Sequence, residues 1–141
     1  MDYSIENMST ADFDDVTALW RRSEGVGLNE SDTREMIAIY LQRNPGLSRV
    51  ARNAGEKIIG AVLCGHDGRR GYLHHLAVAA EHRRQGIGKS LVDACLAKLG
   101  ALGIQKCNIF LYADNAEGRV FWERHGWSER VDLRVLQKPV P

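Results

Sequence analysis

Leu76-Ala77-Val78, followed by His82-Arg83-Arg84-Gln85-Gly86-Ile87-Gly88-Lys89-Ser90-Leu91, joins an apolar strand to a helix through a basic, glycine-spaced turn. Such a turn suits a phosphate group. The first backbone N–H groups of a helix have no intrahelical acceptor, and the helix dipole adds roughly half a positive charge at that end. Gly86 and Gly88 remove side chains that would keep a diphosphate from those amides, while Arg83, Arg84 and Lys89 bring charge and Ser90 a hydroxyl donor.

Working outward, Tyr3 to Glu6 alternates like a short strand, and Ser9-Thr10-Ala11-Asp12 reads as a capping box before a helix with Phe13, Val16, Leu19 and Trp20 on one face. That helix is expected to end near Gly25. A second helix, Asp32 to Arg43, is stopped by Asn44-Pro45-Gly46, and the Gly25 to Glu30 connection reads either as a substrate loop or as a plain connector. Strands are expected near Leu47 to Arg52, Lys57 to Cys64 and Gly71 to Val78. The helix after the turn carries an apolar stripe of Ile87, Leu91, Cys95, Leu99 and Leu102, so one face packs on a sheet. A strand at Lys106 to Tyr112, a helix at Ala116 to His125 and a last strand at Val131 to Leu136 complete the order. This is an α/β fold, a mixed β-sheet flanked by helices on both faces.

The 141 residues, 44% apolar and 26% charged, fit one compact domain spanning 1–141. A net charge of +1, from 19 basic and 18 acidic residues, gives no overall field for nucleic acid, and no segment approaches the ~20 apolar residues of a membrane span. A cytoplasmic protein is expected. Cys64, Cys95 and Cys107 show no Cys-x-x-Cys spacing, so three reduced thiols are expected and no metal site.

Gly88-Lys89-Ser90 imitates the end of a P-loop, but that motif needs glycine where Arg83 stands. A dinucleotide fingerprint fails too, because Leu91 occupies its third glycine position. Arg83-x-x-Gly86-x-Gly88 directly after Leu76-Ala77-Val78 does fit, and resembles the pyrophosphate loop Gln/Arg-x-x-Gly-x-Gly/Ala of the GNAT superfamily of N-acetyltransferases. Asn115, Ala116, Phe121, Trp122, Gly126 and Trp127 resemble that family's Asn-x-x-Ala-x-x-x-Tyr-x-x-x-Gly-Phe segment, with Gly118, Trp122 and Trp127 as substitutions. The Asp67 to Gly71 stretch and the Phe121-Trp122 pair resemble the bacterial YpeA-type branch.

The resemblance implies a GNAT-like sheet splayed at the cofactor strand and acetyl-coenzyme A as donor. The backbone of Leu76, Ala77 and Val78 would pair with the pantetheine arm, and amides from Arg84, Gln85, Gly86, Ile87, Gly88 and Lys89 would hold the diphosphate, with Arg83 and Ser90 beside it. Asn115, Phe121 and Trp122 would line the cofactor's far end. A strand N–H near Ala77 would steady the oxyanion. The acceptor is a primary amine, on a small molecule or a protein, attacking directly in a ternary complex.

Some group must take the amine's proton. His74 is the first candidate, matching one of two strand histidines in arylalkylamine N-acetyltransferases, and strand alternation places His75 on the opposite sheet face. Tyr112 and a bound water are candidates for the acid, because Trp122 stands where many members have tyrosine and cannot give up a proton at neutral pH. That substitution motivates the alternative of a noncatalytic acyl-coenzyme A-binding module. Exposed strand edges make a homodimer reasonable.

Overall fold

The computed structural model describes residues 2–141, which divide into two compact units, one ending at Phe110 and the other spanning Leu111–Pro141. The first holds a five-stranded sheet in the order β1-β2-β3-β4-β5, with β1 at Tyr3–Asn7, β2 at Arg49–Asn53, β3 at Ile58–His66, β4 at Gly71–Val78 and β5 at Cys107–Ile109. Neighbours are antiparallel except β4 and β5, which are parallel. Parallel neighbours need a crossover, and helix α3, Ile87–Ala101, supplies it. The mixed sheet expected from the sequence is formed.

Two glycines on β3 locate the helices. A Cβ on Gly60 would lie 3.0 Å from Leu91 and 3.1 Å from Ile87 of α3, whereas one on Gly65 would lie 2.5 Å from the Tyr40 hydroxyl and 2.8 Å from the Asn44 amide. Successive side chains on a strand alternate, so these glycines face opposite sides. Helix α3 therefore covers one face, and the helix carrying Tyr40, α2 at Arg34–Arg43, covers the other. Helix α1, Phe13–Arg21, shares the α2 side and buries Val16, Leu19 and Trp20. Covered on both faces, β3 is buried from Ile58 through Gly65, which explains its continuous apolar run.

Element ends depart from the sequence reading where packing overrides pattern. Helix α1 stops at Arg21, before Gly25, and a 3-10 turn at Glu30–Asp32 precedes α2. Ile87, Leu91, Cys95 and Leu99 are buried as expected, but Leu102 lies past the end of α3 and is half exposed. Strand β5 is only three residues long, and it ends before Tyr112. The strand expected at Val131 to Leu136 is not formed. Those residues have no ladder partner, and Val131, Leu133, Val135 and Leu136 are exposed.

The second unit contains helix α4, Ala116–Arg124, capped by Asn115, whose Oδ1 accepts from the Gly118 N–H at 2.9 Å. An aromatic group follows the helix. Trp122 meets Phe121 edge-on at 5.2 Å and Trp127 at 4.9 Å, and Phe121 meets His125 at 4.7 Å.

Candidate active site

Strand β4 changes character half-way along. Gly71, Tyr72 and Leu73 are paired on both sides, with β3 and with Cys107, Asn108 and Ile109 of β5. Past Leu73 the pairing with β5 ceases. From Ala77 to Val78 the ladder continues on the β3 side alone. The Ala79 N–H donates to the Ile59 carbonyl at 2.8 Å. In an antiparallel pair the hydrogen-bonded positions alternate, so Ala77 turns its backbone toward β3 and Val78 turns its own outward. The outward N–H next to Ala77 is therefore that of Val78.

An irregularity separates the two halves. Ala61 is opposite Ala77 and Leu63 is opposite His74, so β4 carries one residue more than β3 across this span. The extra residue is a β-bulge at His75, held in the left-handed region at φ 58°. The bulge resets the alternation. His75 meets Trp20 of α1 edge-on at 5.0 Å, while His74 meets Tyr40 of α2 at 6.4 Å. Both imidazoles thus lie on the α1 and α2 side, 6.5 Å apart, and the expectation that His75 faces away is overturned.

His74 stands where the strands part. Its ring stacks parallel to Tyr72 at 6.3 Å and lies 5.9 Å from Phe110, the residue after β5. Burial pushes its pKa below the usual 6.5, His75 pushes the same way, and Asp32 opposes them. Burial thus favours the neutral imidazole, which holds a lone pair. Tyr112, the expected acid, lies beyond the end of β5 and is 57% exposed.

The turn after β4 has an unusual backbone. Arg84 and Gly86 both adopt positive φ, 63° and 82°. Gly86 is the N-cap of α3, and no side chain caps the helix. The first amides of α3 are thus left to an outside acceptor, and the Ser90 N–H is the first to bond back, to Gly86. Arg83 donates from Nε to the Val78 carbonyl at 3.1 Å, placing a guanidinium between turn and open edge. Arg84 is exposed, and Gln85 is half-buried with its Oε1 unpartnered. Lys89 is half exposed in a 2.6 Å pair with Asp93, a weak surface contact that leaves the ammonium free to change partners. Ser90 shares a hydrogen bond with Tyr3 at 2.9 Å, so its hydroxyl is directed toward β1. Ile87 and Gly88 are buried at the start of the helix.

An open strand edge running into an uncapped helix N-terminus fits an extended ligand ending in a diphosphate. The profile of the acetyltransferase (GNAT) family matches residues 13–127, which include both features. The chain belongs to the GNAT acetyltransferase family. It is 36% identical over 128 residues to an acetyltransferase of Sodalis glossinidius (strain morsitans), covering 90% of this chain and 88% of that one. Its fold is shared with a paia N-acetyltransferase of Thermoplasma acidophilum solved with coenzyme A, at 20% identity, TM-score 0.80 and 91% coverage of each chain. The ribosomal-protein-S18-alanine N-acetyltransferase of Escherichia coli has the same fold at 19% identity and TM-score 0.75, over 91% of this chain and 79% of that one.

Among the described residues no group of three or more His, Cys, Asp or Glu is placed to hold a metal, and no helix is long and apolar enough to cross a membrane. Cys64 and Cys95 are buried and Cys107 is half-buried, all three as free thiols. A hydrogen bond with Cys95 and then burial push the Cys64 thiol up, and burial pushes Cys107 up to about 12. Neither forms a thiolate at neutral pH.

Proposed function

We propose that the protein transfers an acetyl group from acetyl-coenzyme A to a primary amine, by direct attack in a ternary complex. One observation carries the reading: β4 loses its β5 neighbour after Leu73, and the turn that follows its end at Val78 leads into a helix, starting at Ile87, whose N-terminus has no side-chain cap. The outward N–H of Val78, within Leu76 to Val78, suits a carbonyl of the pantetheine arm, the Val78 carbonyl being held by Arg83. The turn from Arg84 to Lys89 suits the diphosphate, with Arg83 between the two.

The amine nitrogen attacks the acetyl carbonyl carbon, the carbon–sulfur bond breaks, and the sulfur leaves as a thiolate that takes up a proton. The amine must lose a proton. His74, its neutral form favoured by burial at the parting of the strands, is the group suited to receive it, directly or through water. The depressed thiol reactivity argues against an acyl-enzyme on cysteine, which favours the direct route.

A second reading, a noncatalytic acyl-coenzyme A-binding module, draws on Trp122. This residue has no ionisable proton, and its ring is packed between Phe121 and Trp127. The two readings separate in one assay, in which coenzyme A thiol is measured with acetyl-coenzyme A and spermidine, tryptamine or a peptide with a free N-terminal alanine. Amine-dependent release supports the enzyme. Binding of acetyl-coenzyme A without release for any amine, together with activity gained by Trp122→Tyr, supports the module.

A further inference from the structure

His75 is a non-glycine residue in the left-handed region, at the one bulge in the strand that reads as the donor site. Such a conformation costs energy and persists where surrounding contacts enforce it. Here the contacts come from the connection between α1 and α2. His75 Nε2 lies 3.0 Å from both carboxylate oxygens of Asp32, whose side chain is 7% exposed, against 16% for His75. Asp32 Oδ2 also accepts from the Asn29 N–H at 3.0 Å, and Asn29 Oδ1 accepts from the Ser31 N–H at 2.8 Å. Thr33 then caps α2 through the Met36 N–H. Among the described residues, the hydrogen bonds that tie segment 29–33 to β4 are those of a single side-chain pair, His75 and Asp32.

The opposite face is packed against a helix. Leu91 and Ile87 lie against Gly60, and Leu99 lies against Gly71, so α3 fills that side of the sheet. At the parting of β4 and β5, the side away from α3 bears His74, Tyr40 and the 29–33 segment.

We infer that His75 is a positioning residue: through Asp32 it moors the α1–α2 connection to the donor strand, and so pre-forms the wall against which the acceptor amine is held. The inference rests on the acyl-transfer reading for the acceptor and on the geometry alone for the mooring. His75 acts as a hydrogen-bond donor here, with no proton transferred. A glutamine, whose amide N–H reaches the position of Nε2, therefore substitutes for it, while alanine does not.

The test uses whichever of spermidine, tryptamine and the alanyl peptide the full chain turns over fastest, together with hydrogen exchange of amides 29–33. In His75→Ala the amine KM is expected to rise about tenfold, the loss of one hydrogen bond to a charged group. Acetyl-coenzyme A affinity and kcat stay within about twofold, exchange at 29–33 quickens, Asp32→Asn shifts the same way, and His75→Gln returns both readouts toward the parent. Unchanged exchange in folded His75→Ala overturns the mooring. A fall in kcat with KM unmoved, or a His75→Gln variant as impaired as His75→Ala, assigns His75 to proton transfer and overturns the positioning role. Turnover of none of the amines by the parent chain overturns the acceptor part, and exchange still decides the mooring.

Discussion

The two halves of β4 are both largely apolar and differ in what lies beside them. Gly71 to Leu73 sits between two strands, and there the glycine is required because a Cβ would come within 2.6 Å of Leu99. Beyond the bulge, Val78 turns its backbone outward from β3 with no β5 residue paired there, and Gly86 is required by backbone angle alone, since nothing lies within 4 Å of a Cβ there. One glycine serves packing and the other serves a vacant approach. A strand can thus be structural at one end and a binding surface at the other, with a single inserted residue between.

Substitutions at the two ends should therefore fail in different ways. The largest effect is expected from Gly86→Asp, which adds a left-handed backbone penalty and a negative charge where a diphosphate would sit. Acetyl-coenzyme A affinity of the folded protein should fall about a hundredfold, and the backbone strain should lower stability by about 1–2 kcal/mol, as titration calorimetry beside a melting curve will read. Equal affinity in folded protein would remove the turn from the donor site. Gly71→Val tests the other end. It should cost about 2 kcal/mol in urea unfolding through overpacking against Leu99, while the molecules that remain folded bind acetyl-coenzyme A normally. Lys89→Ala is expected to weaken binding only about threefold, and less at high salt, because the ammonium is half exposed.

His74, between the halves, gives the smallest effect, seen in pH. The folded protein holds its pKa below 6.5 and the unfolded chain returns it to about 6.5, so protons favour the unfolded chain. Its contribution is therefore whole above pH 6.5 and is lost as pH falls through the window below. Urea midpoints for His74→Phe should decline less than those of the parent between pH 7 and 5. If His74 also accepts the amine's proton, the acid limb of kcat/KM lies below pH 6.5 and is absent from this variant.

The turn was legible because its chemistry is local: two glycines, three cations and a strand-to-helix change lie within a few residues. The sheet order was legible for a similar reason, since hairpins and a crossover helix leave few arrangements. His75 was not. Period-two reasoning assumes one residue per position, and nothing in Leu73-His74-His75-Leu76 announces an inserted one. Its partner Asp32 stands 43 residues away, so the pair exists only in the folded chain. At Val131 to Leu136 the pattern favoured a strand, but a strand needs a neighbour to bond, and none of the described residues provides one. Tyr112 was misplaced because β-propensity does not say where a ladder stops.

The bond from Arg83 to the Val78 carbonyl bears on solubility as well as on binding. A bare strand edge is a template on which other chains can add, and natural sheets discourage this with charge. Here a guanidinium covers an outward carbonyl of the open half, so a strand from another molecule meets a cation where it needs an acceptor. An anionic ligand meets attraction at the same place. The edge that makes the site receptive is thereby kept from aggregating.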